Sequence, residues 1–262
     1  MKTTKSKIFS KILMILFFVI YYAPLLSIII FSFNDARSVT HWGGFTFGWY
    51  KELFTDARLM EIILNTLLIA VAATIVSTII GTLAAICLTK QRKKIRNLIL
   101  QANNLPIMNP DIVTAIGLLL LFVSLKVEKG YITMLLAHIS FCTPYVIVTV
   151  YPKVKALDPN ILEAALDLGA KPLRAICTAI IPQVKTTVFA AGAMAFTMSF
   201  DDFVISYFTG GSKLNISTYL YTEAKKINPT INALSTIIML IIVIKIVIDK
   251  VKEARRNKHE EV

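Results

Sequence analysis

The feature that most restricts this chain is the absence of charge over stretches longer than a soluble core uses. No charged side chain lies between Lys11 and Asp35, and residues 62–89 and 131–151 are uncharged as well. About 20 apolar residues at ~1.5 Å rise each cross a hydrocarbon layer of ~30 Å. Each of these stretches is therefore expected to be a membrane-spanning helix. Composition agrees, because 56% of the 262 residues are hydrophobic and only 17% charged, against roughly 45–50% and about 25% in soluble domains. The first apolar run also exceeds the about 7–15 residues of a signal-peptide core, so it is expected to stay attached.

Six spans are predicted, at about 12–33, 62–89, 98–125, 131–151, 184–208 and 231–248. The third is the least regular. Its clean apolar run, 112–125, is only about 21 Å of helix, and extending it back to residue 98 puts Pro106, Pro110 and Asp111 at membrane depth, where the prolines are expected to break the helix beside a cavity. The fifth contains Asp201 and Asp202. The sixth carries Lys245 near its end, where a long side chain can snorkel to the headgroups.

Lys and Arg retained on the cytoplasmic side set orientation. Residues 1–11 hold four, 90–96 five, 153–185 five and 245–258 six, while the alternate connections hold three, two and three. Both termini are thus predicted inside, as tails 1–11 and 249–262, in agreement with an even span count. On this reading the net charge of +12 holds topology and contacts lipid headgroups, with no nucleic acid implied. The expected fold class is all-α, a polytopic membrane protein with six transmembrane helices and both termini cytoplasmic.

Enzyme chemistry finds little footing. Cys87, Cys142 and Cys177 have neither a CxxC spacing nor an even count, and His41, His138 and His259 fall at different depths or on different sides. No metal cluster is expected, no Ser-His-Asp grouping is evident, and no cofactor is implied. An intramembrane aspartyl dyad needs carboxylates converging from two helices, whereas neighbours such as Asp201 and Asp202 point about 100° apart on one helix. His138 is read as a hydrogen-bond partner between helices.

The long connection 152–183 carries the most specific pattern. Asp158 suits an N-cap and Pro159 the first helical position, so a short helix is expected over 160–168, closed by Gly169 in the left-handed region. Pro172 then opens a second short helix, 173–181, ending before Pro182. Within this unit run Glu163, Ala164 and Ala165, then Gly169 three residues on and Ile181-Pro182 beyond. It resembles the EAA loop of permease subunits of bacterial ABC importers. Glu163, Ala164, Ala165, Gly169 and Pro182 match in register, and Ala179 and Ile181 stand where Ile and Leu are usual. Paired alanines leave a low helix face for another protein to approach, and an exposed Glu supplies a charged anchor. The resemblance assigns these four residues, Glu163, Ala164, Ala165 and Gly169, to coupling with an ATPase. No glycine in the chain is followed by Lys, so the phosphate loop G-x-x-x-x-G-K-[ST] is missing and that ATPase is expected to be a separate subunit.

Carboxylates at membrane depth are costly unless paired or hydrated, which makes Asp111, Asp201 and Asp202 candidates for a substrate pathway. Structural roles stand beside that reading: Asp111 as a helix cap after Pro110, and the pair as partners of a basic residue on another subunit. Further blocks extend the resemblance: Asn109 to Val113, Phe196 to Val204, Phe31 to Asn34, Gly44 to Thr46, and Trp49-Tyr50. Spread over nearly the whole chain, they resemble, in the same order along the chain, the second permease subunits of spermidine/putrescine importers, within the binding-protein-dependent importer permease family. That resemblance implies the type I ABC importer permease fold and a bacterial inner-membrane location. It also implies a heterodimer with a second permease, two ATPase subunits and an extracellular polyamine-binding protein, with Trp42, Trp49 and Tyr50 on the outer side. The alternative is an ion-coupled carrier of small cations acting without an ATPase, against which stand the coupling-type loop and the lack of an internal repeat.

Overall fold

The structure is a computed structural model that describes residues 2–38, 40–158, 160–223 and 229–260. Among the described residues all regular elements are helices, and the one β pairing is a single bridge between Asn34 and Phe45. Pro159, Lys225 and Lys226, which entered the sequence reading, lie outside the described residues. The chain divides into two compact units, residues 1–60 with 220–262, and residues 61–219.

In the first unit α1 (Lys2–Phe31) is followed by α2 (Gly48–Thr55), and α12 (Pro229–Glu260) packs against both. The stretch Phe9–Phe31 is long and apolar enough to span, and its most apolar part contains no fully buried residue, as suits a helix whose solvent is lipid. The loop after α1 is organised by Asn34, which is fully buried. Its Nδ2 donates to the carbonyls of Ser38 (3.1 Å) and His41 (2.7 Å), and its Oδ1 accepts from the backbone N–H of Gly43 (2.7 Å). Trp49 Nε1 donates to the Asn34 carbonyl at 2.8 Å, and Tyr50 shares a 2.7 Å hydrogen bond with Ser32. Trp49 and Tyr50 thus hold the loop together, whereas Trp42 is exposed.

The second unit is built around α6 (Tyr131–Lys155), half of whose apolar window is buried. Small residues let its neighbours come close. Gly81 on α3 (Ala57–Thr89) faces Val146 so tightly that an added Cβ would lie 2.6 Å from Val146 Cγ1, and Ala191 and Ala195 on α9 (Ile181–Asp201) are buried against the same core. Cys142 Sγ meets the Ala195 carbonyl at 3.5 Å, so this thiol is a packing group.

Among the described residues, four helical stretches have spanning length and apolarity: Phe9–Phe31, Ala57–Thr89, Tyr131–Lys155 and Pro172–Asp201. The expected third span is broken into a pair, α4 (Lys93–Met108) and α5 (Asp111–Ser124), bent by 104°. The bend has a local cause: Pro110 forces Asn109 out of the helical region, to φ −76° and ψ 144°. A depth for Asp111 reckoned along one straight helix therefore does not apply. The sixth apolar stretch, expected over 231–248, is found at Pro229–Lys245 inside the longer α12.

The connection before the fifth span also differs from expectation. Its first short helix is present as α7 (Asn160–Asp167). The second does not stop at Pro182. Instead α8 (Pro172–Ala175), a π-helical segment (Ile176–Ile180) and α9 run on as one helix. Pro182 falls in the first turn of α9, where its missing N–H costs least, and the wider π turn before it absorbs the change of register. At its far end α9 stops at Asp201, and α10 (Val204–Thr209) and α11 (Ile216–Glu223) follow.

Candidate functional site

Two places in the second unit carry the residues singled out by sequence. The first is the connecting helix α7. Asp158 Oδ1 accepts from the backbone N–H of Asn160 at 2.9 Å, the capping role its position predicted. At the other end Gly169 has φ +86°, which a side chain would resist. The N–H of Ala170 reaches the Ala165 carbonyl (3.1 Å) and the N–H of Gly169 reaches the Leu166 carbonyl (2.8 Å). These are the two bonds of a Schellman closure, which satisfies the last carbonyls of the helix and turns the chain sharply.

The helix has two faces. Ile161, Leu162 and Ala165 are part-buried, the first two against the core that includes Val154 and Ile180, while Glu163, Ala164 and Leu168 are exposed. Leu168 is 90% exposed and Leu173, just beyond the turn, 71%. Apolar side chains so open beside a pair of alanines form a surface suited to burial by another protein. Glu163 does not stand free: its Oε1 lies 3.0 Å from Nζ of Lys90, just past the end of α3. Lys90 entered the sequence reading only as a charge that fixes topology, and no local pattern marks a pairing across 73 residues.

The second place is the break after α9. The end of the helix between them gives the adjacent carboxylates different surroundings. Asp201 is exposed, and Asp202 points inward with its side chain 8% exposed. Asp202 adopts an extended conformation, φ −60° and ψ 128°, and its carboxylate caps α10 by accepting from the N–H groups of Ile205 (3.2 Å) and Ser206 (2.7 Å) and from the Ser206 hydroxyl (2.8 Å). His138, in the middle of α6, is 1% exposed and bridges this turn. Its Nδ1 lies 2.6 Å from Ser199 Oγ, its Nε2 2.9 Å from Ser206 Oγ and 3.5 Å from Asp202 Oδ2.

Asn215 completes the network by donating to the Asp202 carbonyl (2.7 Å) and to Ser206 Oγ (2.8 Å). It also caps α11 reciprocally with Thr218, a pairing that the Asn-Ile-Ser-Thr spacing could have disclosed. Ser199, Ser206 and Asn215 were missed by sequence reasoning. Asp111, at the first position of α5, is exposed and belongs to neither cluster. The arrangement fixes a non-helical turn at the end of the apolar helix by satisfying its buried polar atoms internally.

Against known proteins, residues 77–256 match the family model described as "Binding-protein-dependent transport system inner membrane component". The chain belongs to that family. Two Escherichia coli (strain K12) proteins are each 36% identical to this permease: the putrescine transport system permease protein PotI over 237 residues (87% of this chain, 84% of PotI), and the spermidine/putrescine transport system permease protein PotC over 228 residues (86% of each). The PotC homolog of Mycoplasma genitalium is 32% identical over 254 residues, covering 92% of this chain and 89% of its own. Among solved structures, a bacterial ABC transporter involved in the import of the acidic polysaccharide alginate aligns over 97% of this permease and 96% of its own chain. Its TM-score is 0.67 at 16% identity, which establishes the shared fold. The chain is thus an all-α inner-membrane permease component with the ABC importer permease fold.

Proposed function

We propose that the chain is one of two permease subunits of an ATP-driven importer of polyamines, spermidine or putrescine, and that α7 is where an ATPase subunit grips it. The carrying observation is the Schellman-closed helix that rests Ile161 and Leu162 on the core and turns Ala164, Leu168 and the adjoining Leu173 outward. Relatives named for putrescine and spermidine/putrescine transport, matched over most of their length, support the substrate class. Because α8, the π segment and α9 form one helix, force applied at the α7–α8 turn reaches the fifth span without a loop between. Closure of two ATPases would then tilt the membrane helices as rigid bodies between inward-open and outward-open states.

In this reading the exposed Asp201 and Asp111 face the pathway and attract the cationic substrate, and Asp202 positions the turn that presents Asp201. Glu163, Ala164, Ala165 and Gly169 make up the coupling element. Six spans with both termini in the cytoplasm put α7 on the ATPase side. The hydroxyls of Thr74, Thr78 and Thr82 on α3 line grooves against α9 and have no hydrogen-bond partner among the described residues. A secreted binding protein delivers substrate from outside.

Cross-linking tests the coupling site. Leu168→Cys in the assembled transporter should form a specific cross-link to the ATPase subunit. Reaction of that thiol with lipid-phase reagents, and no cross-link to the ATPase, would overturn the assignment.

A further inference from the structure

The Lys90–Glu163 contact joins two parts of the chain that sequence keeps far apart. Lys90 sits one residue beyond α3, and α7 is covalently continuous only with α6 and the α8–α9 helix. The apolar face of α7 rests on the core through Ile161 and Leu162, beside a cavity of about 160 Å³ lined by Ile86, Thr89 and Lys90 from the α3 end, Val154 from α6, and Leu162. Burial there is partial, and the exposed edge of α7 is held by the 3.0 Å ion pair, in which Lys90 is 44% and Glu163 63% exposed. A pair this open adds little to stability. Its effect is on where the helix stands.

We propose that Lys90 is a positioning residue for coupling: its ammonium holds Glu163 and so ties the ATPase-facing helix to the second span, making α3 a second route, besides α8–α9, by which motion of α7 enters the membrane. The proposal rests on the coupling reading above. Arg keeps the charge and the donors that the pair needs, whereas Ala removes both. The carboxylate that Lys90 holds is the one the coupling motif supplies, so removing Lys90 should add nothing once Glu163 is gone.

The test uses the complete transporter in proteoliposomes, reading substrate uptake per ATP hydrolysed. Lys90→Ala should lower that ratio about two- to five-fold, the size of effect an exposed pair can exert, and Lys90→Arg should restore it. Glu163→Gln should be impaired at least as much as Lys90→Ala, and the double variant Lys90→Ala/Glu163→Gln no more than Glu163→Gln. Raising salt from about 50 mM to about 500 mM should bring the wild-type ratio toward that of Lys90→Ala and leave the variant unchanged. A wild-type ratio for Lys90→Ala beside an impaired Glu163→Gln would overturn the role of Lys90 and leave the coupling helix standing, as would defects that multiply in the double variant. Wild-type behaviour of every variant, Glu163→Gln included, would overturn the coupling reading itself.

Discussion

Replacing Asp202 by alanine removes at one stroke the acceptor for the Ile205 and Ser206 amides and for the Ser206 hydroxyl. The hydroxyl retains His138 and Asn215 as partners, so the main loss is two amide donors at the start of α10. A buried donor left unsatisfied costs about 1–3 kcal/mol, which puts the total on the order of 3 kcal/mol. At roughly 2–4 °C per kcal/mol for a chain of this size, the apparent melting temperature in detergent should fall by about 6–12 °C. Asp202→Asn keeps one acceptor oxygen and should fall about half as far. Asp201→Asn changes an exposed carboxylate and should stay within about 0.5 kcal/mol of wild type. Melting of the purified variants, followed by intrinsic fluorescence, reads all three. Equal melting of Asp202→Ala and Asp201→Asn would refute the claim that the buried network holds this turn.

Two further outcomes follow from the same geometry. Asp201→Asn should raise the KM for spermidine uptake about five-fold, the loss of roughly 1 kcal/mol of attraction for a cation, with melting unchanged; an unaltered KM would remove Asp201 from the pathway. Gly169→Ala puts a side chain at φ +86° at a cost of roughly 1–2 kcal/mol, which should loosen the end of α7 and reduce uptake per ATP in reconstituted transporter while membrane insertion stays normal.

Much of this was legible in sequence because membrane helices obey composition. The uncharged stretches at 62–89 and 131–151 lie within the long helices α3 and α6, and the Asp158 and Gly169 signals mark where α7 begins and ends. Proline was legible at one site and misleading at another. Pro110 breaks the third span, turning it through 104°, as its place in the apolar stretch implies, yet Pro182 ends nothing, because it falls in the first turn after a π segment. The divergence of Asp201 and Asp202 follows from adjacency, but that the helix ends between them, and that packing against α6 takes Asp202 inward, does not. Contacts such as Lys90 with Glu163, or His138 with Ser199 and Ser206, join residues 61 to 73 positions apart and leave no mark in local pattern.

The claim on which the rest depends is that this permease moves substrate only when an ATPase drives it from the cytoplasmic side. Spermidine uptake by proteoliposomes measures that directly, with the chain reconstituted alone under an imposed ion gradient and, in parallel, with its second permease, ATPases and binding protein plus ATP. The account predicts uptake only in the second preparation. Uptake by the chain alone, driven by the gradient, would contradict it.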